Sequence, residues 1–463
     1  MKSQYGPSIS GAWASGATGR GASSVSYRCS HCAVVVDDFS GEMAMGFLPI
    51  KLPTVRPAPK ERKCLRSIEI GRNCIVTKII GETASNRSYF CSSNDIIIVT
   101  QTEMKVLGIM SGSSMDGVDL ALCDVNETAQ GWQVEILEGV TVPYSETWRV
   151  RLSQLRYQNA ELYAKTDVFY GRYLGELAAA FFKQTGKTAD LVASHGHTIF
   201  HDPKGWLTAQ IGDGATLNAF AKVPVVSNFR RADVALGGQG APLVGLGDDL
   251  LFADYDFCLN LGGFCNVSAK HQGKRIAFDI SPCNIVLNRL ARERDLQYDE
   301  DGVIAEAGVV DYTLLNALNE IPFYGQSFPK SLGREWINKN FWHIVREFDD
   351  LSVEDRMKTL VMHISVQVRR ALESIAEKPL ESCKLLVTGG GALNKTLVDY
   401  LRSETECTVV VPDVKLVNYK EAMIFALLGA MRVKNKNNTL SSATGASTDW
   451  VAGSLDGDFS QWQ

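Results

Sequence analysis

Three glycine-rich turns, each following a stretch of strand character, carry the clearest chemical signal in the chain: Gly112–Gly117, Gly262–Asn266 and Gly389–Asn394. Backbone N–H groups in such turns approach a phosphate with no side chain in the way. The first reads Gly112-Ser113-Ser114-Met115-Asp116-Gly117-Val118-Asp119, the second is built on Gly262, Gly263 and Asn266, and the third on Gly389, Gly390 and Gly391. None matches G-x-x-x-x-G-K-[ST], which excludes a Walker P-loop, and Val387–Gly391 lacks the spacing and downstream acid of a dinucleotide site. One such turn alone is as well explained by a bend that needs positive φ. Three of them after strands, two inside hairpins, point to a nucleotide cleft.

Carboxylates stand beside these turns. Asp116 and Asp119 flank the first, where one could orient a metal ion and its waters against triphosphate oxygens; Asp116-Gly117 is equally ordinary hairpin chemistry. Asp279 ends the apolar stretch Arg275–Ile280, before Ser281-Pro282-Cys283-Asn284. It suits a general base at a strand end or a cap for the following helix, and the pattern leaves both open. His195-Gly196-His197-Thr198, with His201 beyond, raises zinc, but lacks the helical H-E-x-x-H arrangement, so hydrogen bonding to a sugar or phosphate fits better. Arg230-Arg231 beside Gly237-Gly238-Gln239-Gly240 suits phosphate or carboxylate recognition, or solvated surface. Glu421 is either a site residue or half of a capping box with Asn418.

The elements that must position these groups read as mixed α/β. Lys105–Met110 and Val118–Val125 alternate around the first turn, as Phe257–Leu261 and Cys265–Ala269 do around the second, and each pair predicts a hairpin. Helical periods run through 146–185 and 284–294. Met357, Leu360, Val361, Ile364, Val368, Leu372 and Ile375 step by three and four, with Ser352 and Asp355 as a capping box. A strand at Lys384–Thr388 leads into the third turn, then a helix at 393–401, a strand at 408–411 and a last helix at 419–431. Two hairpins with Gly-rich turns, each heading an α/β segment, predict two lobes with a ligand cleft between them.

Lys and Arg number 47 against 52 Asp and Glu, a net of −5 with no block of like charge. That argues against nucleic acid and membrane surfaces as partners, and no run approaches the ~18 apolar residues of a membrane helix. The charge is uneven: residues 1–103 carry +4 and the remainder −9. The first segment is rich in Gly, Ser and Pro and holds Cys29-x-x-Cys32 without a second pair at zinc spacing. It reads as a poorly structured extension, a transit peptide or an overextended reading frame; the last is favoured, since Met104 directly precedes the first convincing strand. The six later cysteines read as buried thiols of a reducing compartment, hence the cytoplasm.

In order along the chain stand Gly112–Asp119, Ser194–Thr198, Gly237–Val244, Asn260–Ser268, Pro329-Lys-Ser-Leu-Gly-Arg-Glu335, Thr388–Gly391 and Ala443–Ser447. Together they resemble the anhydro-N-acetylmuramic acid kinase family of the acetate-kinase/Hsp70/actin-like superfamily, over essentially 104–455. The resemblance implies a two-lobed actin-like ATPase with ribonuclease H-like lobes: 104–236 as lobe I, rejoined by 440–455, and 237–439 as lobe II. It implies ATP and Mg²⁺, a small anhydro sugar as partner and a homodimer. The reaction it implies is phosphorylation of O6 of 1,6-anhydro-N-acetylmuramic acid with hydrolytic opening of the anhydro bridge, in cell-wall sugar recycling. Asp279 matches the family's catalytic base, Asp116 would position Mg²⁺, and the three turns would hold the nucleotide. His195, His197, Thr198, Arg230, Arg231, Gln239 and Glu421 fall on the sugar side. Ser281 and Cys283 replace two glycines of the family pattern beside Asp279, Asn228 replaces an aspartate, and His197 stands where HGQT has glutamine. Other readings are a kinase for another anhydro sugar such as levoglucosan, or a silent actin-like nucleotide-binding protein; Asp116 and Asp279 speak against the second.

Overall fold

The structure, a computed structural model, describes residues 87–92 and 95–100 as backbone strands, and residues 103–112 and 115–462 in full. The Cys29/Cys32 pair, and with it most of the N-terminal segment, lies outside the described residues, as do Ser113 and Ser114. β1 (Arg87–Ser92) and β2 (Asp95–Thr100) form an antiparallel hairpin.

Two sheets follow. The first is built from β3 (Met104–Ser111), β4 (Gly117–Thr128), β5 (Gly131–Pro143), β6 (Leu191–Asp202), β7 (Leu207–Ile211) and β8 (Val225–Ser227). The second contains β9 (Phe257–Leu261), β10 (Phe264–His271), β11 (Lys274–Pro282), β12 (Lys384–Thr388) and β13 (Thr408–Val410), and β14 (Ser454–Asp456) returns to the first. The strand orders are β14-β8-β6-β3-β4-β5, with β7 paired to β6, and β11-β10-β9-β12-β13. In each sheet the opening strand pairs antiparallel with the second, the second antiparallel with the third, and the opening strand parallel with the fourth. This is the ribonuclease H-like order, used twice. Both predicted hairpins form; β5 was not anticipated from the sequence.

Alternation builds the first lobe's two cores. Leu107, Ile109, Leu120 and Leu122 face one side, against Tyr170, Leu174, Leu177 and Phe181 of the Ala160–Thr185 helix. Met104, Val106, Ala121 and Cys123 face the other, against Phe425, Leu427 and Leu428 of the Val414–Val433 helix. That helix, grouped by sequence with residues 237–439, lies on the first sheet at very close range. A Cβ on Gly108 would fall 1.9 Å from the Ala422 carbonyl oxygen, and one on Gly429 would fall 2.5 Å from the Ala193 Cβ. In the second lobe, the Val353–Ile375 helix is capped by Ser352 Oγ, which accepts from the Asp355 N–H at 3.0 Å. Its predicted stripe, Met357 to Ile375, is buried against the second sheet.

Two local readings are corrected. The Val414–Val433 helix starts at an Asp413 cap, whose Oδ1 accepts from the Leu416 N–H at 2.8 Å; Asn418 therefore lies inside the helix and forms no capping box with Glu421. The Asn284–Ala291 helix begins at Cys283 without a side-chain cap, so Asp279 does not cap it.

Candidate active site

The first turn joins β3 to β4. Gly117 lies so near β5 that a Cβ would fall 2.4 Å from the Val142 carbonyl oxygen. Asp116 is exposed at the turn, and its carbonyl accepts from the Tyr144 N–H at 3.2 Å. Asp119 is half-buried and accepts from Thr141 Oγ1 at 2.6 Å. Burial pushes its carboxyl up to about 6, with Glu421 and Asp116 adding to the rise and the Thr141 hydroxyl opposing it. Beneath the turn, Ser111 Oγ bonds to Tyr144 Oη at 2.5 Å and to His197 Nδ1 at 2.8 Å, and Tyr144 Oη bonds on to Tyr170 Oη. This buried chain ties the root of the turn to β6.

In the second lobe the two remaining turns are packed together. Gly389 has φ of +81°, and a Cβ there would fall 2.5 Å from Asn260 Oδ1; one on Gly391 would fall 2.7 Å from the Leu261 Cβ. Asn284 Nδ2 donates to the Leu261 carbonyl at 2.9 Å, and the Asn284 N–H to the Gly262 carbonyl at 3.1 Å. Gly263 differs: a Cβ there would meet nothing within 4 Å. Its backbone borders open space, as a phosphate cradle requires.

Asp279 belongs to a polar row. Asn260 on β9 pairs in register with Asn266 on β10, which pairs with Asp279 on β11. Asp279 Oδ2 accepts from the Leu332 N–H at 2.7 Å. Burial raises this carboxyl to about 6 and the Leu332 N–H opposes the rise, a value suited to a base working near neutral pH. Ser281 and Cys283 are fully buried. Ser281 Oγ donates to the Pro282 carbonyl at 3.0 Å, and Cys283 belongs to the second lobe's apolar core.

The histidines do not form a metal site. His195 Nδ1 bonds to the Gly196 carbonyl at 2.8 Å and its Nε2 accepts from Arg230 Nε at 2.8 Å. His201 Nδ1 bonds to Thr208 Oγ1 at 3.1 Å. Burial, with the Arg230 charge, holds His195 well below the usual imidazole range; burial, with Arg334, holds His197 down at about 4. Thr198 Oγ1 accepts from Gln210 Nε2 at 3.3 Å. Arg230 reaches the Gly240 carbonyl at 2.6 Å as well, and burial lowers its guanidinium to about 10. Arg231 and Gln239 are exposed, so the arginine pair divides, one inward and one outward. Fully buried Asp233 holds the 237–240 loop: it accepts from the Gly240 N–H at 2.7 Å and from Thr444 Oγ1 at 2.6 Å.

Glu421 joins the lobes. Asn260 Nδ2 donates to its Oε1 at 3.0 Å, and burial raises its carboxyl while Lys420, Arg230 and Asn260 oppose the rise. The sequence motifs include Asn260 and Leu332 but gave neither a role, and Ser111, Tyr144 and Asp233 had none either. Asn260 was within reach, as it sits two residues before Gly262. Among the described residues no group of three or more His, Cys, Asp or Glu could hold a metal ion. Also among them, no helix is long and apolar enough to cross a membrane, and Cys123, Cys258, Cys265, Cys283, Cys383 and Cys407 are free and buried.

Anhydro-N-acetylmuramic acid kinase of Francisella tularensis subsp. novicida is 32% identical over 372 residues, covering 75% of this chain and 97% of that protein. The enzyme of the same name from Bacillus cereus strain AH187 is 31% identical over 380 residues, covering 76% and 99%. Among solved structures, the activator of the 2-hydroxyisocaproyl-CoA dehydratase from Clostridium difficile with bound ADPNP aligns with a TM-score of 0.36 and 13% identity, covering 70% of this chain and 94% of that one. The family model described as anhydro-N-acetylmuramic acid kinase matches residues 104–456, and the chain belongs to that family.

Proposed function

We propose that this protein is an ATP-dependent kinase that phosphorylates O6 of 1,6-anhydro-N-acetylmuramic acid and opens the anhydro bridge with water, giving N-acetylmuramic acid 6-phosphate and ADP. The observation that carries the reading is Asp279: a carboxyl raised to about 6, in register with Asn266 and Asn260. Asp279 takes a proton from the water that attacks C1. The C1–O6 bond breaks, and the released O6 attacks the γ-phosphorus of ATP with ADP leaving. Gly112–Asp119, Gly262, Gly263, Asn266 and Gly389–Gly391 hold the nucleotide. His195, His197, Thr198, Arg230, Arg231, Gln239 and Glu421 serve the sugar side, with Arg230 or Arg231 meeting the lactyl carboxylate.

Asp116 would hold Mg²⁺, through water, and the ion would supply charge neutralisation at the triphosphate. Asp116 is an exposed carboxylate at the turn, the kind of oxygen ligand that reaches Mg²⁺ through its waters. The buried free thiols suit the cytoplasm, and a homodimer completes the reading. The test is ATP consumption by the purified full chain with 1,6-anhydro-N-acetylmuramic acid, with product mass recorded. A product heavier than the sugar by one phosphoryl group (HPO₃) and one water is expected. Turnover on levoglucosan alone would move the substrate, and turnover on neither would overturn the kinase reading.

A further inference from the structure

The motif Pro329–Glu335 lies along the outer edge of the second sheet where Asp279 stands. β11 is an edge strand. The Asp279 N–H donates to the Lys330 carbonyl at 3.0 Å, and the Leu332 N–H donates to Asp279 Oδ2 at 2.7 Å. The segment thus grips both the backbone and the carboxylate of one residue. Its own position is fixed behind. The Phe328 ring stacks on Phe278 with 5.4 Å between centroids, and Lys330 Nζ reaches the Phe323 and Tyr324 carbonyls at 3.4 Å each. Its far end crosses to the other lobe: Glu335, in the first turn of the Arg334–Asn340 helix, is ion-paired with Arg156 of the first lobe. The neighbouring Arg334 guanidinium bears on Asp116 and His197, both also of the first lobe.

We propose that Pro329–Glu335 is a positioning strap for Asp279: it occupies Oδ2, so that Oδ1 takes the proton, and the Glu335–Arg156 pair registers it against the first lobe. The proposal rests on the reading of Asp279 as the base. Arg156 and Glu335 are positioning residues that act through the strap.

The experiment compares the full chain with Arg156→Glu, Glu335→Arg and the double reversal, reading kcat, KM for ATP and sugar, and hydrogen exchange over residues 328–336. Each single reversal is expected to lower kcat about tenfold, because a small displacement of a reacting group is costly, and to leave both KM values within about twofold. The double reversal should bring kcat back to within about threefold, the signature of a direct pair. Protection over 328–336 should fall in the singles and return in the double. Single variants at wild-type kcat, or a double variant that recovers nothing, would overturn the strap. If the wild type does not turn over the sugar, the kinase reading fails by itself and exchange decides: protection lost in the singles and regained in the double upholds the strap, and unchanged protection overturns it.

Discussion

Arg230 donates from Nε to His195 Nε2 over 2.8 Å, while His195 Nδ1 lies 2.8 Å from the Gly196 carbonyl. The two contacts fix one tautomer: the proton is on Nδ1 and Nε2 accepts. A neutral imidazole thus orients a half-buried guanidinium, whose other arm holds the Gly240 carbonyl at 2.6 Å. Arg230→Lys cannot make both contacts, since an ammonium lacks the planar fork. The sugar's KM should rise roughly tenfold, the loss of one charge-assisted hydrogen bond, with the KM for ATP unchanged. Equal sugar KM values would remove Arg230 from the substrate side.

Asp279→Asn should lower kcat by about 10²–10⁴-fold, the typical contribution of a positioned general base, while ATP still binds. With the carboxyl at about 6, the competent form is the deprotonated one. Wild-type turnover should therefore be half-maximal near pH 6, level off about one unit above it and fall toward tenfold per pH unit below it. Titration calorimetry with ATP and a pH–rate series check the two halves.

His197 offers a stability test with a definite sign. Its folded-state value of about 4 lies below the ordinary 6.5, so the unfolded chain binds the proton first as pH falls. The stability it contributes is complete above pH 6.5 and is lost on the way down to about 4. Asp119 and Asp279, both raised to about 6, run the other way, penalised above that pH and relieved below it. They are common to wild type and variant, so the difference isolates the histidine. Between pH 7 and pH 5, wild type should lose about 2 kcal/mol more unfolding free energy than His197→Gln, measured by urea denaturation.

Gly389 and Gly263 should separate folding from binding. Gly389→Ala places a Cβ at φ +81° and 2.5 Å from Asn260 Oδ1, and should cost about 1–3 kcal/mol of stability. Gly263→Ala meets nothing within 4 Å, so unfolding should change by less than about 0.5 kcal/mol, whereas the Kd for ATP should rise. Unchanged ATP affinity in Gly263→Ala would take that turn out of the phosphate site.

A double-mutant cycle on Asn260→Ala and Glu421→Ala tests the link between lobes. The 3.0 Å hydrogen bond should give a coupling of about 1 kcal/mol in kcat/KM, about fivefold. Strict additivity would mean that the contact does not hold during turnover.

What was legible in the sequence follows the range of the forces involved. Both strand pairs and the Met357–Ile375 stripe are set by neighbours a few residues apart, and they formed where the pattern put them. Asp279 was visible as a carboxylate at a strand end, but its partner, the Leu332 N–H, lies 53 positions away and leaves no local trace. Asn418-x-x-Glu421 shows the opposite failure. The spacing of a capping box is there, but Asp413 starts the helix earlier and the spacing falls inside it. β5 was legible and went unread: Trp132, Val134 and Ile136 alternate with Gln133 and Glu135 along it, and these three pack against the first sheet's core. Where the side chains of Ser281 and Cys283 would lie was not legible, because a pattern gives spacing and no direction; both are buried in the second lobe.

The Val414–Val433 helix and β14 supply part of the first sheet's core and one of its edges, although β3 and β4 are synthesised some 300 residues sooner. On the ribosome, then, the lobe that emerges first is completed last. Until the helix arrives, Gly108 and Ala193 leave a bare groove on β3 and β6, and an apolar sheet face waits uncovered. The second sheet has its strands within residues 257–410 and can close in one passage. Biogenesis would thus depend on the late helix finding an early sheet, and an arrested or clipped chain lacking it should aggregate through the first lobe while the second folds.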